Sequence, residues 1–276
     1  MIKHRMKILI LTPVKDAEEY VHIYFKNLYR LAFPHRNISL GFLESDSQDR
    51  TYAILEAKLP ELNQEFRQAR LWKRDFGFRI PHGMPRWAGQ IQYERRSVLA
   101  QSRNHLLFNA LDDEDWVLWL DVDVVDYPAD VIERLLATGK EIVHPHCVRE
   151  YHGPSYDRNA WRDRGRYHLD DLRSEGDLVE LHAVGGTMLL VKADAHRDGL
   201  IFPPFLYGRR SKRIRKNNFF FTRPRFWELC TAWTRIPRAL YSRTRRGEIE
   251  TEGLGIMAHD MGYTCWGMPN LEIKHQ

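Results

Sequence analysis

The sequence predicts an α/β protein with a mostly parallel central sheet flanked by helices. Apolar segments of strand length alternate with amphipathic helical segments through the first half of the chain. The chain of 276 residues, 43% hydrophobic and 12% aromatic, has the length and composition of one globular domain, which we expect to span residues 1–276. An apolar segment at residues 116–120 runs directly into Asp121 and Asp123, as expected of a central strand whose carboxyl end borders a ligand site.

The first predicted unit is a strand at residues 7–11 that ends at Thr12 and Pro13. Proline cannot donate a hydrogen bond to a strand ladder, so we expect the loop backbone, Pro13 and the Thr12 hydroxyl to face a ligand. Asp16, with Glu19 three residues later, has the pattern of a capping box and predicts that the next helix begins there.

A second strand at residues 38–43 is followed by a polar loop and by a helix at about residues 51–70, interrupted at Pro60. Asp46, in that loop, lies where doubly wound folds place an acid against a ribose or a base. The same residue also suits an N-cap cluster for the next helix, and the two interpretations do not exclude each other. A third strand is predicted at residues 71–74.

A loop rich in glycine and proline at residues 77–89 precedes a long predicted helix at about residues 90–110. Three arginines of this helix, Arg95, Arg96 and Arg103, offer positive charge just ahead of the acidic strand. Most helix arginines are simply solvated. Because Arg103 lies one turn before a buried leucine pair, we expect it to face a diphosphate or an aspartate of the site.

The strongest indication of function is the strand at residues 116–120 with the two aspartates that follow it. On an extended backbone, an i, i+2 spacing points both carboxylates to one face and Val122 to the other. Two carboxylates held this close raise each other's pKa unless a cation lies between them, and oxygen ligands suit Mg²⁺ or Mn²⁺. We therefore predict a metal-bridged diphosphate site at Asp121 and Asp123, with an ordinary acidic loop as the alternative.

Beyond the acidic strand we expect a helix at residues 128–138 and then a further strand. Residues 156–161, Tyr-Asp-Arg-Asn-Ala-Trp, have the composition of a sugar-contacting surface or of an ordinary solvated loop. A buried strand at residues 184–191 is entered through Gly185 and Gly186. Glycine weakens a strand, so we expect the backbone to approach a ligand here, with a bulge as the alternative.

The net charge of +5 is unevenly distributed, because residues 209–246 carry thirteen Lys or Arg and a single acid, Glu228. Phenylalanines and tryptophans are interleaved with these cations. Such a segment suits an anionic membrane surface, where aromatic rings lie at headgroup level. Nucleic acid and plain solvent are the alternative surroundings. A short helix from Glu250 and a strand at about residues 266–273 complete the chain.

The cysteines and the apolar segments help to predict the cellular compartment of the protein. Cys147, Cys230 and Cys265 lie far apart and do not have the spacing of a disulfide framework or of a zinc site. No apolar segment approaches the ~18 residues of a membrane span. We therefore expect a cytoplasmic protein, peripheral to the inner face of a membrane if the basic segment binds lipid.

Seven short motifs stand in the order of one known family. They are Ile10-Leu11-Thr12-Pro13, Ser45-Asp46-Ser47, Arg103-Asn104, Trp119-Leu120-Asp121-Val122-Asp123, residues 156–161, Gly185-Gly186-Thr187-Met188-Leu189 and Glu250-Thr251-Glu252-Gly253. By these motifs the chain resembles the retaining α-mannosyltransferases of the fungal mannan polymerase type, glycosyltransferase family sixty-two. The match covers nearly the whole chain except about residues 209–246, which form a longer segment than the family's.

The resemblance implies a Rossmann-like GT-A fold, GDP-mannose as the donor and Mn²⁺, or Mg²⁺, as the cofactor. Carried over by position, it makes Asp121 and Asp123 the metal motif and His275 a histidine ligand of the metal. It also makes Asp157 and Glu252 active-site acids that orient sugar hydroxyls or shield an oxocarbenium-like centre. If the α configuration is retained, the departing phosphate oxygen can take the acceptor proton, and no protein base is required.

We therefore predict a metal-dependent retaining glycosyltransferase that moves α-mannose from GDP-mannose to a glycan or lipid-linked acceptor. Arg103 is expected to act in catalysis and in donor binding. The other residues expected to bind the donor are Thr12, Pro13, Asp46, Asp121, Gly185 and Gly186.

Three alternative functions follow from single features of the sequence. A different nucleotide sugar could be the donor. A sugar nucleotidyltransferase would need a cationic loop near the first strand, where Lys15 is the only candidate and a glycine-rich phosphate loop is missing. A nucleic-acid-binding protein is suggested by the basic segment, but it leaves the buried acidic strand unexplained, and we expect no nucleic acid partner.

Overall fold

The computed structural model describes residues 6–85, 88–208 and 247–276. The predicted basic-aromatic insertion at residues 209–246 lies outside these described residues. Nine strands are present in the described ranges: β1 (Ile8–Val14), β2 (Ile38–Glu44), β3 (Gln68–Lys73), β4 (Trp116–Leu120), β5 (Val124–Asp126), β6 (Ile142–Val148), β7 (Val179–Leu181), β8 (Met188–Lys192) and β9 (Cys265–His275).

The α-helices of the same ranges are α1 (Val21–Tyr29), α2 (Thr51–Glu65), α3 (Gln92–Ala110), α4 (Val131–Ala137), α5 (Ala193–Arg197) and α6 (Glu250–Asp260). Two short 3₁₀ helices are His35–Asn37 and Leu169–Glu175. None of the helices in the described part of the chain is both long enough and apolar enough to cross a membrane.

The strands form one mixed sheet in the order β3-β2-β1-β4-β8-β6-β9-β5, and β7 pairs with β9. The pairs β3–β2, β2–β1 and β1–β4 are parallel. β8 is antiparallel to both of its neighbours, and β9 is parallel to β6 but antiparallel to β5 and β7. The α/β class is confirmed, whereas the expectation of a mostly parallel sheet is correct only for the amino-terminal half.

Both faces of the parallel half are covered, which explains why its strands are apolar at successive positions. Ile8 and Ile10 of β1 belong to the hydrophobic cluster that contains α1. Leu9 and Leu11 belong to the cluster on the other face, which contains the apolar side of α3. Because successive strand residues point to opposite faces, β1 contributes to two cores at once, and each buried leucine or isoleucine contributes roughly 1.5–3 kcal/mol.

β1 continues to Val14 with Pro13 inside it, so the prediction that Pro13 ends the strand is wrong. β4 pairs with β1 only as far as Leu11, whereas β2 accompanies β1 to Val14. Beyond Leu11, β1 is therefore an edge with a partner on one side, where a proline without an N–H group is tolerated.

The first helix begins later than predicted, because Asp16, the cap of the predicted capping box, binds the next loop instead, as does Glu18. Asp16 Oδ1 accepts a hydrogen bond from Gln48 N at 2.7 Å, and Glu18 Oε2 accepts one from Arg50 N at 3.0 Å. α1 starts at Val21 without a side-chain cap. The predicted cap at Asp16 is therefore wrong, and these acids join the loops after β1 and β2.

Other boundaries differ by a few residues. α2 runs unbroken through Pro60 and ends at Glu65, so the predicted interruption is wrong and β3 begins early, at Gln68. β8 begins at Met188, which leaves Gly185 and Gly186 in the loop before it. The predicted extents of β2, β4 and α6 agree with the structure to within about two residues.

The residues that flank the undescribed segment 209–246 are paired with each other. Tyr207 N donates to Glu248 O, and Glu248 N donates to Tyr207 O, each at 2.8 Å. This antiparallel bridge stands directly before α6. The chain therefore leaves and re-enters the described fold at one place.

Candidate active site

A cleft of about 430 Å³ lies at the carboxyl ends of β1, β2 and β4. The loops after these three parallel strands meet there, as expected for ligand sites in open α/β sheets. α3 and residues 78–80 supply the rest of its wall. The charged residues that border the cleft are Lys15, Asp16, Asp46, Arg79, Arg95, Arg103, Asp121 and Asp123.

Asp121 and Asp123 both border this cleft, but they are placed there by a turn and not by a strand. β4 ends at Leu120, and Val124 N closes the turn by donating to Asp121 O at 3.3 Å. Val122 borders the same cleft. The predicted extended backbone is therefore wrong, although both carboxylates border one cleft and the Val122 side chain packs in the hydrophobic core.

Arg103 contacts an aspartate of this pair. Its Nη2 donates to Asp121 Oδ1 at 3.0 Å, and the arginine side chain is only 3% exposed. Burial raises the pKa of Asp121 to about 6, against the opposing charge of Arg103 and with the help of neighbouring carboxylates that include Asp123. The site therefore holds more negative charge than Arg103 neutralises.

Asp123 is paired with His275 at the end of β9. His275 Nε2 lies 3.1 Å from Asp123 Oδ1, and the imidazole stacks on Tyr156 with 4.0 Å between ring centroids. β9 continues to His275, so this residue belongs to the sheet and not to a frayed terminus. Burial lowers the pKa of His275, but the hydrogen bond and charge of Asp123 outweigh it, and the pKa is raised overall.

The donor chemistry of these residues fits a divalent metal ion. Two carboxylates and one imidazole are ligands that Mn²⁺ accepts, and the accumulated negative charge at Asp121 favours a cation. Asp121 is nevertheless turned towards Arg103. Among the described residues, no three His, Cys, Asp or Glu side chains are grouped into a complete metal site. The predicted cluster of Asp121, Asp123 and His275 is thus not assembled as a three-ligand set.

Asp157 is buried and holds the loop before β8. Its Oδ2 accepts hydrogen bonds from Gly186 N at 2.9 Å and from Thr187 N at 3.3 Å, and its Oδ1 accepts one from Asn159 N at 3.1 Å. Burial favours a higher pKa, but the nearby His144 imidazole and the backbone amides hold the pKa of Asp157 well below its usual range. Asp157 is therefore an ionised carboxylate that is satisfied by the protein itself.

The two glycines allow this close packing. A Cβ atom on Gly185 would lie 2.0 Å from Asp157 Oδ2, and one on Gly186 would lie 2.6 Å from Arg103 Nη2. The backbone approach predicted at Gly185 and Gly186 is present, but it is made to the protein's own side chains. This packing alone accounts for the two glycines, and donor binding at Gly185 and Gly186 stays a prediction.

Glu252 belongs to a buried ionic network between α3 and the first turn of α6. Arg96 Nη1 donates to Glu252 Oε2, and Trp161 Nε1 donates to Glu252 Oε1, both at 2.6 Å. Glu250 bridges the two arginines of α3, with ion-pair distances of 3.3 Å to Arg96 and 3.4 Å to Arg103. Both oxygens of Glu252 are thus occupied by protein donors.

The sequence favours Arg103 over Arg96 and does not assign Glu250 a role in the site. Arg96 and Arg103 are seven residues apart, so they share one face of α3, and that spacing was the available signal. Glu250 has a backbone φ of +60°, a left-handed conformation that is uncommon for a residue other than glycine. Such strain persists only where surrounding contacts hold it, as the two arginines do here.

Of the predicted donor-binding residues near β1 and β2, Pro13 and Asp46 border the cleft, whereas Thr12 points into the core. The Thr12 hydroxyl lies 2.6 Å from the Tyr24 hydroxyl and has no exposed surface. The expectation that it faces a ligand is therefore wrong, because the unbroken strand turns residue 12 inwards.

Asp46 anchors a neighbouring segment. Its two carboxylate oxygens accept hydrogen bonds from Phe76 N and Gly77 N, each at 2.9 Å. The amide at the start of α2 is instead bound by Asp49, whose Oδ1 accepts from Thr51 N at 2.9 Å. The N-cap interpretation of Asp46 is therefore wrong, and each of its carboxylate oxygens already accepts one hydrogen bond.

The sequence profile of the Anp1 family matches residues 1–168 and 164–206 of the chain. The Mannan polymerase II complex anp1 subunit of Schizosaccharomyces pombe is 26% identical over 316 aligned residues, which cover 98% of this chain and 64% of that protein. The Mannan polymerase II complex ANP1 subunit of Saccharomyces cerevisiae is 29% identical, over 76% of this chain and 52% of that protein. The chain thus spans between half and two thirds of the length of these relatives.

Among solved structures, the crystal structure of GalNAc-T7 with UDP, GalNAc and Mn²⁺ is similar over 98% of this chain and 44% of that chain. The TM-score is 0.56 at 11% sequence identity. A likeness at this identity concerns the fold alone, and it confirms the predicted GT-A-like α/β architecture, whose sheet is mixed.

Proposed function

The chain belongs to the Anp1 family, and from this premise we propose that it is a metal-dependent retaining glycosyltransferase. In this proposal it moves an α-mannosyl group from GDP-mannose to a hydroxyl group of a glycan or lipid-linked acceptor. The observation that carries the proposal is the cleft at the carboxyl ends of β1, β2 and β4, which is bordered by both aspartates of the Asp121–Asp123 turn and by Arg103.

Asp121, Asp123 and His275 are the residues that would hold Mn²⁺ or Mg²⁺. When bound, the metal would neutralise negative charge on the diphosphate of the donor. Arg103 contributes fixed positive charge at the same place, and the rings of Trp119 and Phe202, with centroids 5.7 and 5.3 Å from its guanidinium carbon, restrict its position. Desolvated charge of this kind stabilises a leaving diphosphate more strongly than solvated charge does.

In this proposal, neither Asp157 nor Glu252 takes the proton of the acceptor hydroxyl. Each of their four carboxylate oxygens accepts a hydrogen bond from the protein. Asp157 fixes the Gly185–Gly186 loop and Glu252 fixes α6, and Asp157, whose pKa is held low by its donors, adds negative charge that favours an oxocarbenium-like sugar. The acceptor hydroxyl forms its bond to the sugar as the sugar–phosphate bond breaks, and the departing phosphate oxygen takes the proton.

The direct test is release of GDP from GDP-mannose by the purified chain, with Mn²⁺ present and with Mn²⁺ removed by a chelator. Parallel reactions with other nucleotide sugars identify the donor. Release of pyrophosphate from GTP and mannose 1-phosphate would instead indicate the nucleotidyltransferase alternative. Binding of GDP without any sugar transfer or donor hydrolysis would count against catalysis and favour a binding subunit of an assembly.

We also propose that residues 209–246 dock the enzyme on the cytoplasmic face of an anionic membrane. The support is compositional: thirteen cations with interleaved aromatic residues, each cation contributing about 1 kcal/mol near such a surface. Sedimentation with liposomes of acidic lipid, compared with neutral liposomes, tests it. We expect pelleting with acidic lipid that weakens at high salt, and equal, negligible pelleting with both would refute docking.

A further inference from the structure

Residues 75–80 form a short segment beside the cleft that is fastened to the loops after β1 and β2. The Asp46 carboxylate accepts hydrogen bonds from Phe76 N and Gly77 N, and Asp75 Oδ1 accepts one from Asp46 N at 2.8 Å. Lys15 Nζ donates to Phe78 O at 2.8 Å. These contacts fix the backbone on both sides of Gly77, whose φ of +73° allows the turn.

Arg79 follows directly after Phe78, the last residue that these hydrogen bonds hold. Phe78 is buried, and the Lys15 ammonium lies 6.0 Å from the centroid of its ring, so the start of the Arg79 side chain is fixed in place. The Arg79 side chain is exposed and borders the cleft. A fixed backbone reduces the conformational entropy that a long side chain loses when it binds a ligand.

Two other cations of the cleft, Lys15 and Arg103, already bind groups of the protein. Lys15 is bound to a backbone carbonyl, and Arg103 is bound to Asp121 and lies within ion-pair distance of Glu250. Within the described ranges of the chain, Arg79 makes no hydrogen bond or ion pair. Its guanidinium can therefore bind an anion without first breaking a contact.

We propose that Arg79 binds the diphosphate group of a nucleoside diphosphate in the cleft. The inference rests on the proposed function, which supplies a substrate of that chemistry. A guanidinium offers paired N–H donors that match two phosphate oxygens, and it stays charged at any pH at which the protein is folded. Arg103 shares its positive charge with Asp121 and Glu250. Arg79, on the segment 75–80, adds a positive charge that is not shared in this way.

The test compares Arg79→Ala and Arg79→Lys with the wild-type chain by calorimetric titration of GDP, pyrophosphate and guanosine, with Mn²⁺ present. Arg134→Ala is the matched control, because Arg134 is also an exposed arginine and pairs with Asp130 away from the cleft. We expect Arg79→Ala to weaken GDP and pyrophosphate about tenfold, as for the loss of a charge-assisted hydrogen bond. Guanosine binding should stay unchanged, and Arg79→Lys should restore part of the affinity.

Equal GDP affinity in wild type and Arg79→Ala would overturn the assignment. So would an equal loss of guanosine binding, because that would indicate a disturbed segment and not a lost phosphate contact. If the wild-type chain binds pyrophosphate through Arg79 but does not bind GDP, the proposed donor is wrong while the role of Arg79 stands. A wild-type chain that binds neither GDP nor pyrophosphate contradicts both.

Discussion

Asp121 in the cleft and Asp157 beneath the loop before β8 carry the same carboxyl group, but their surroundings shift its pKa in opposite directions. Burial and neighbouring carboxylates raise the pKa of Asp121 to about 6. Backbone amides and the His144 imidazole hold the pKa of Asp157 well below its usual range, against the effect of burial. The difference lies in the donors: Asp157 accepts from two backbone amides and a hydroxyl at a single oxygen, whereas Asp121 shares Arg103 with Glu250.

The comparison extends to the other acids of the site. Glu252, like Asp157, has both carboxylate oxygens satisfied by protein donors. Asp123 resembles Asp121 in bordering the cleft, where its partner is His275. A carboxylate that the fold fully satisfies stabilises the structure, and one that is left with excess negative charge is available for a cation or a substrate.

Removal of Arg96 tests the carboxylates that are satisfied by protein donors, and it should have the largest effect on stability. Arg96→Leu leaves Glu250 and Glu252 buried without their shared partner, so we expect a loss of about 3–5 kcal/mol in the free energy of unfolding. Urea denaturation measures the loss. The control is Arg134→Leu, which removes an exposed pair with Asp130 and should cost at most about 1 kcal/mol. Similar losses in both variants would show that the buried network is not specially stabilising.

Removal of either cleft aspartate should affect turnover and leave the fold intact. Asp121→Ala or Asp123→Ala removes one of two crowded negative charges, and Arg103 keeps its contacts with Glu250 and the Gly186 carbonyl. We expect the rate of transfer to fall roughly 10²–10³-fold or more, with a melting temperature that is not lowered. Asp130→Ala, an exposed aspartate outside the cleft, is the control. Near-normal turnover of either cleft variant at saturating Mn²⁺ would remove that residue from the metal site.

The pH dependence of stability should separate Asp121 from Asp157 by sign. Because the pKa of Asp121 is raised from 3.8 to about 6, its stabilising contribution is complete below about pH 4 and is lost as the pH rises through 6. Asp121→Asn should therefore be more stable than wild type at pH 7.5, by on the order of 2 kcal/mol, and lose that advantage near pH 4.

Asp157 should show the reverse. Its lowered pKa gives a contribution that is present above the unfolded pKa and is lost as the pH falls below it. Asp157→Asn should therefore be less stable than wild type at pH 7.5, by an amount that shrinks as the medium becomes acidic. Urea titrations of Asp121→Asn from pH 4 to 7.5 and of Asp157→Asn from about pH 2 to 7.5, with a chelator present, measure the two slopes. Slopes of the same sign would contradict the comparison.

Local patterns in the sequence predicted those parts of the fold that local patterns control. β2 and β4 are apolar runs bounded by polar residues, and α6 begins at an acidic motif, so their extents could be predicted. The three-residue strands β5 and β7 are too short to carry a periodic signal. Strand direction depends on which strands become neighbours, so the antiparallel half of the sheet could not be predicted from runs of residues.

Several residues predicted for the site border one cleft in the structure, whereas their predicted geometry was less accurate. The aspartates and Arg103 could be identified because they flank one buried strand, whereas the contact between Arg96 and Glu250 joins residues 154 positions apart. Asp16 shows the limit of a local motif: its spacing to Glu19 fits a helix cap, but Gln48 offered its carboxylate a donor from another loop. Only the folded arrangement decides which of two possible donors a carboxylate binds.

The mutual hydrogen bonds of Tyr207 and Glu248 have a consequence for how this fold can vary. Tyr207 and Glu248 can stay paired whatever length of chain connects them, because the entropy cost of closing a loop rises only slowly with its length. Insertions, deletions or a grafted module between these residues should therefore leave Glu250 and the arginines behind it in place. The pair makes this point a natural graft site, where the segment between Tyr207 and Glu248 can be exchanged while the geometry of the cleft is conserved.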